Sequence, residues 1–303
     1  MSFSPSPDLD QHVDSVHRRV ECLVSTQLWD LDRSRLNGWW SQFCTKTERF
    51  FAACLLDSLI YRSRNQFSAG IRTLYRQSVR WAAVKEVPGT DDLDLIRLLQ
   101  QQQPGLVRLT PVICEHDPPT KSGPLILRRT KKALDIREEC MAWPWSLRKL
   151  IDQAHIQVVV FVDDFLGTGD QFCEFISTML KGDLDSGVNW IYAPIVAHAQ
   201  GVQKVRSAFP QITIVHAELL DEQHDFFNEH YWLTVSNGAI SSADATDFYE
   251  SFLRKHRLQA SLKSPAKGYG DLSLCFGFEH ATPDNTLPIL WHSDTSWTNL
   301  LQR

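Results

Sequence analysis

From Asp8 to about Gln103, apolar residues recur at helical spacing: Val13, Val16, Val20 and Leu23, then Phe51, Leu55 and Leu59, then Ile71, Leu74 and Val79. The period predicts three or four helices, packed as a bundle or against the rest of the chain. Thr45-x-x-Glu48 is a capping-box pattern ahead of the apolar stretch that begins at Phe50. Ser68 is placed to cap the next helix, and Pro104-Gly105 is a stop signal after a glutamine run. Beyond Gly105 the texture changes to short β-branched runs at 109–114, 156–162, 190–197, 212–215 and 272–278. Helical patterns lie between them at 171–180, 202–209 and 243–255; in the first, Phe172, Phe175, Ile176 and Met179 fall three or four residues apart. This alternation predicts an α/β fold with a mostly parallel, buried sheet, preceded by an α-helical N-terminal region. The expected division is a helical region over 1–104 and an α/β domain over 105–303. No internal repeat, heptad series or long low-complexity linker interrupts it, and the most loop-like stretch is 115–124.

A length of 303 residues at about 150 per domain agrees with two packing units. With 31 basic and 36 acidic side chains the net charge is −5, which argues against broad attraction to nucleic acid or anionic lipid but leaves room for a local patch. A composition 43% hydrophobic and 22% charged excludes a disordered chain. The seven cysteines are dispersed without a Cys-x-x-Cys pair, which suits a reducing compartment and argues against a zinc site or a disulfide framework. The start Met1-Ser-Phe-Ser-Pro-Ser-Pro lacks the pattern of a signal peptide, and no run approaches the roughly 18 apolar residues of a membrane span. The expectation is a cytoplasmic protein without a membrane partner. No Walker loop, dinucleotide fingerprint or hydrolase elbow is present.

One segment concentrates chemistry. Residues 158–171 read Val-Val-Val-Phe-Val-Asp-Asp-Phe-Leu-Gly-Thr-Gly-Asp-Gln: a buried strand, two carboxylates, a Gly-Thr-Gly turn and an amphipathic helix. At the carboxyl end of a parallel strand, Asp163 and Asp164 are expected to project into the crevice where doubly wound sheets bind ligands. Gly167 and Gly169 permit positive φ, so that loop N–H groups and the helix N-terminus can surround an anion. Carboxylates above such a cradle suit a phosphorylated sugar, since they accept hydrogen bonds from vicinal hydroxyls and can help to hold hydrated magnesium. The competing possibility is a strand-ending turn in which one carboxylate caps the following helix.

This segment resembles the phosphoribosyl pyrophosphate (PRPP) loop of type I phosphoribosyltransferases: four apolar residues, two acidic, two apolar, then small-Thr-Gly. The resemblance implies a fold of that family's kind. It also implies Asp163 and Asp164 as catalytic, diol-binding and Mg2+-holding residues, and a ribose-phosphate site formed by Phe165, Leu166, Gly167, Thr168, Gly169, Asp170 and Gln171. Two departures stand out. Asp170 and Gln171 replace the small residue or lysine followed by Thr or Ser, putting a carboxylate where phosphate oxygens belong. Asp170 then either points outward or caps its own helix and occupies the anion site. Gly167 falls where some relatives carry an aspartate general base.

A second resemblance joins Lys267-Gly-Tyr-Gly-Asp-Leu-Ser-Leu-Cys-Phe-Gly-Phe-Glu-His280, Pro283-Asp-Asn-Thr-Leu-Pro-Ile-Leu-Trp291 and Trp39-Trp-Ser-Gln-Phe43 to the segment above. Together they are similar to phosphoribosyltransferase-like proteins of bacterial anti-phage systems, including those encoded beside reverse transcriptases in retrons. That implies an effector acting on a nucleotide or PRPP. Partner proteins or a reverse transcriptase–nucleic acid complex of a defence module are implied with it.

Other candidates are weaker as patterns. Asn285 can hydrogen-bond a base edge and Trp291 can stack on its face, or both can be structural. Lys121 and Ser122, followed by Arg128 and Arg129, form either a pyrophosphate loop or a charged surface turn. Cys173 fits packing better than nucleophilic chemistry. Three functions stay open: a glycosyltransferase or nucleotide glycosidase, a non-catalytic nucleotide or PRPP sensor, and a DNA- or partner-binding regulator. The last rests on Arg72, Arg76 and Arg80 at i, i+4 spacing, with Arg62 and Arg64 nearby, in a helix-turn-helix.

Overall fold

The computed structural model describes residues 3, 9–85, 95–100, 106–154, 156–180, 184, 187–258 and 264–303. In chain order the main elements begin with α1 (Leu9–Ser25), α2 (Arg33–Trp40), α3 (Lys46–Asp57), β1 (Ile60–Arg62) and α4 (Arg64–Thr73). A π-helical stretch (Leu74–Val79) then leads to α5 (Arg80–Lys85) and α6 (Leu95–Gln100). Next come β2 (Val107–Pro111), α7 (Gly123–Leu134), α8 (Leu147–Ala154), β3 (Val158–Leu166), α9 (Asp170–Met179), β4 (Asn189–His198), α10 (Ala199–Ala208), β5 (Ile212–Ile214) and β6 (Glu218–Leu220). The chain ends with α11 (Glu229–Val235), α12 (Ser242–Lys255), β7 (Phe276–Phe278) and α13 (Pro288–Trp291).

Two compact units emerge, residues 65–220 and residues 1–64 with 221–303. The expected boundary at 104/105 lies outside the described residues, and the division by contacts falls elsewhere. The change of texture near Gly105 marks where the five-stranded sheet begins, whereas compactness is decided by contacts remote in sequence.

The unit of residues 65–220 holds a five-stranded parallel sheet in the order β2-β3-β4-β5, with β6 pairing the far end of β4. β3 and β4 are buried on both faces, which is why they read as nearly continuous apolar runs. One face carries Val159, Phe161, Trp190 and Tyr192 and packs against α8, α9 and α10. Rings interlock there, with Phe161 edge-on to Phe172 at 5.5 Å and Tyr192 stacked on Phe172 at 3.6 Å. The other face carries α7, which packs on β2 and β3, and the helical run from α4 to α5, which packs on β4. Gly70 of α4 sits so close to Ile195 that a Cβ there would come within 3.1 Å of its methyl group.

In the other unit, α1, α3 and α12 share a core with the C-terminal segment, built around Val20, Phe43, Phe51, Trp232, Tyr249, Phe252, Leu287 and Trp297. The predicted capping box forms: Glu48 N–H donates to Thr45 Oγ1 at 3.1 Å, and Thr45 N–H donates to the Glu48 carboxylate at 3.0 Å. Ser68, by contrast, lies inside α4, past its first turn. The apolar run at 272–278 does not join the main sheet. Only Phe276–Phe278 is strand, and it pairs in parallel with β1. No helix among the described residues is long and apolar enough to cross a membrane.

Candidate functional site

β3, the turn after it and the start of α9 form one continuous joint, and the sequence dictates its shape. The strand persists through Leu166, three residues beyond Asp163, so the acidic pair lies within the pairing register (Asp163 beside Pro194) and not past the strand's end as expected. Side chains alternate across a strand, so the two acids leave the backbone towards different faces, yet their carboxyl groups stay in contact with each other. Asp163 falls on the α9 face, where it accepts a hydrogen bond from the Tyr192 hydroxyl at 2.8 Å and another from the Asp164 N–H at 3.0 Å. Burial, and then the neighbouring charge of Asp164, hold its carboxyl well above the usual range. Burial and the same carboxylate push the Tyr192 phenol up.

Asp164 falls on the α7 face. Its Oδ1 accepts from the Ser122 hydroxyl at 3.2 Å and from the Phe165 N–H at 3.0 Å. Ser122 precedes α7 but makes no capping bond with its side chain, which reaches Asp164 instead. The structure therefore brings the proposed pyrophosphate loop to the second acid of the pair. Lys121 is paired with Asp117 at 2.9 Å, and Asp117 also accepts the Cys114 N–H at 2.7 Å.

The turn itself is built by close backbone approach. Gly169 has φ of 86°, the left-handed conformation that its position invites. Gly167 does not take positive φ. Its carbonyl instead lies against Gly201 of α10, where an added Cβ would come within 2.1 Å of the oxygen. Gly201 thus fixes the loop from the neighbouring helix, a requirement invisible in the segment's own sequence. His198 caps α10, its Nδ1 accepting the Gln200 N–H at 3.3 Å.

Asp170 turns inward on the loop. It accepts a hydrogen bond from the Thr168 hydroxyl at 2.6 Å and forms an ion pair with Lys204 of α10. Of the two alternatives for this residue, the structure favours engagement of the loop's own donors by its own carboxylate. Lys204 is the cation that sequence reasoning missed; its only signal is position, one helix turn after Gly201. Gln171 is exposed and Phe172 buried, as the amphipathic pattern requires. Cys173 is partly buried, and that burial raises its thiol above the ordinary range, in agreement with packing.

Asn285 and Trp291 belong to the other compact unit, and the structure gives both internal work. Asn285 is buried and donates to the Tyr269 carbonyl at 2.8 Å. Trp291 donates to the Thr286 carbonyl at 2.9 Å, packs into the core, and carries the Arg303 guanidinium 4.3 Å from its ring centroid. Base recognition by this pair is therefore replaced by a structural role. Among the described residues no cluster of three or more His, Cys, Asp or Glu side chains can cage a metal. Asp164 with substrate oxygens would still suit magnesium, which keeps several waters and needs only one or two carboxylates.

A family model described as PRTase-CE matches residues 36–303, a span covering both acids, the loop and the C-terminal segment. No curated protein matches the chain.

Proposed function

The chain belongs to the PRTase-CE family of phosphoribosyltransferase-like proteins, and from that premise we propose that it acts at the anomeric carbon of a phosphorylated ribose, in PRPP or in a nucleotide. The observation that carries the proposal is the joint at the end of β3. There an acid linked to the α7 loop, a Gly-Thr-Gly turn and a helix N-terminus follow one another within seven residues.

Each part has a task in such a reaction. Asp164 accepts hydrogen bonds from a ribose hydroxyl, and Ser122 holds its orientation. Asp163 positions Asp164 through their shared backbone and its own anchor to Tyr192. The turn and the α9 N-terminus receive the 5′-phosphate. Lys121 and Ser122 meet negative charge that develops on the leaving group as the bond to C1′ stretches towards an oxocarbenium-like transition state. Magnesium, held by Asp164 and by substrate oxygens, would neutralise pyrophosphate charge. The role we assign is that of a cytoplasmic effector in an anti-phage module.

A second function has a specific observation in its favour. Asp170 already engages Thr168 and Lys204, so a ligand must displace a carboxylate before it settles. That arrangement suits a sensor that binds PRPP or a nucleotide without consuming it. One experiment separates the two: incubation with Mg2+, PRPP and a nucleotide panel, read by mass spectrometry and calorimetry. Released base or pyrophosphate that disappears in the double variant Asp163→Asn/Asp164→Asn supports the enzyme. Saturable heat without product supports the sensor. Neither heat nor product with any nucleotide or PRPP sinks both.

A further inference from the structure

Residues 65–85 contain Arg72, Arg76, Arg80 and Lys85 and not one acidic residue, in a chain whose net charge is −5. The arginines lie along α4, the π stretch and α5, and all three are exposed. In an ordinary α-helix, four residues overshoot a full turn by about 40°, so three such positions drift around the axis. The wider i→i+5 turn of Leu74–Val79 reduces that drift and keeps the three closer to one line. Among the described residues no carboxylate forms an ion pair with Arg72, Arg76 or Arg80.

A second acid-free helix lies beside the first. α7 carries Arg128, Arg129, Lys131 and Lys132 within Gly123–Leu134. It covers β2 and β3 on the face where α4 and α5 cover β4, and the Arg129 guanidinium stands 5.5 Å from the Phe67 ring centroid, joining α7 to α4. Arg128 and Lys132 are exposed. Trp81, 62% exposed, directly follows Arg80.

We propose that this helical face of the 65–220 unit binds the phosphodiester backbone of a single-stranded nucleic acid. Arg72, Arg76 and Arg80 form the principal phosphate row, α7 forms a flanking basic row, and Trp81 is a stacking platform. The chemistry favours a strand over other anions. Guanidinium groups at one-turn spacing match a repeating phosphate, and an exposed indole gives a base a face to stack on. No helix-turn-helix is involved, because α4 and α5 form one run packed on the sheet. The proposal does not depend on the chemistry at β3.

The test uses the full chain and a fluorescein-labelled 30-nucleotide strand, as DNA and as RNA, in anisotropy titrations between 50 and 300 mM salt. The expected result is saturable binding to at least one of the two strands. The logarithm of affinity should fall linearly with the logarithm of salt, by about 0.7 per phosphate neutralised. The triple variant Arg72→Gln/Arg76→Gln/Arg80→Gln should lose at least tenfold in affinity at 150 mM salt and reduce that slope by about two, with an unchanged melting temperature. Trp81→Ala should weaken binding several-fold without changing the slope. Wild-type affinity and slope in the triple variant would overturn the proposal. So would absence of binding to both strands at 150 mM salt, or equally tight binding to phosphatidylserine vesicles or polyglutamate.

Discussion

Replacing Asp170 by asparagine removes one charge from the loop and leaves its shape. In the structure that carboxylate takes the Thr168 hydroxyl at 2.6 Å and the Lys204 ammonium, both of which suit a phosphate. A phosphate using the same hydroxyl would lie about 5 Å from the Asp170 carboxylate, where two like charges repel by about 3 kcal/mol at an effective dielectric of 20. Asp170 is 43% exposed and Lys204 offsets its charge, so salt and solvent reduce this to about 1.4 kcal/mol, or tenfold in affinity. Asp170→Asn should therefore bind PRPP about tenfold more tightly in calorimetry at 150 mM salt. Lys204→Ala should bind it more weakly than wild type. Folding stability should change by no more than about 1 kcal/mol, because the ion pair is half exposed. Unchanged or weaker binding by Asp170→Asn, with the fold intact, would refute the idea that this side chain competes with the ligand for the loop's donors.

Three further outcomes are expected. Asp163 has a folded-state pKa raised by burial, so its contribution to stability is greatest below the usual carboxylate range and is lost as pH rises through the folded value. Asp163→Asn should accordingly be more stable than wild type at pH 7 and differ little from it at pH 4, measured by urea unfolding; no gain at pH 7 would contradict the assignment. Gly201→Ala should destabilise the chain by about 1–3 kcal/mol and abolish ligand-induced protection of residues 166–171 in hydrogen exchange, since a Cβ would lie 2.1 Å from the Gly167 carbonyl oxygen. Burial raises the Glu48 carboxyl, but the Lys255 contact at 2.6 Å and the N–H groups of Thr45 and Cys44 outweigh it and bring the value down to about 2. That depression corresponds to about 3 kcal/mol, discounted to about 1–2 because Lys255 is exposed. The contribution should be present above about pH 4.5 and lost as pH falls towards 2; Glu48→Gln should flatten that window in urea titrations.

Most of the sheet was legible because β2, β3 and β4 are buried on both faces and bounded by turn residues. The runs at 190–197 and 212–215 lie within one residue of the observed ends of β4 and β5. The three helix patterns after the first strand also appear, starting at Asp170, Ala199 and Ser242. The short strands β1 and β6 escaped notice because three residues cannot show a period. At the site, the order strand, two acids, turn and helix could be read directly. Its completion could not, because Tyr192, Gly201 and Lys204 reach the loop from β4 and α10 and belong to no local pattern. Asn285 and Trp291 misled for the opposite reason. A polar residue in a turn and a nearby indole look the same in sequence whether they face a base or fill a core, and only the bonds to Tyr269 and Thr286 distinguish the two.

Residues 1–64 find their partners in residues 221–303, with the whole α/β unit spliced between them. On the ribosome, the unit of residues 65–220 can finish folding while the helices of residues 1–64 still lack the aromatic side chains of Trp232, Phe252 and Trp297 that cover Phe43 and Phe51. Until residues 221–303 have been made, those helices expose an oily surface that chaperones would recognise. Chain termination shortly after residue 220 would then injure residues 1–64 first and leave residues 65–220 standing.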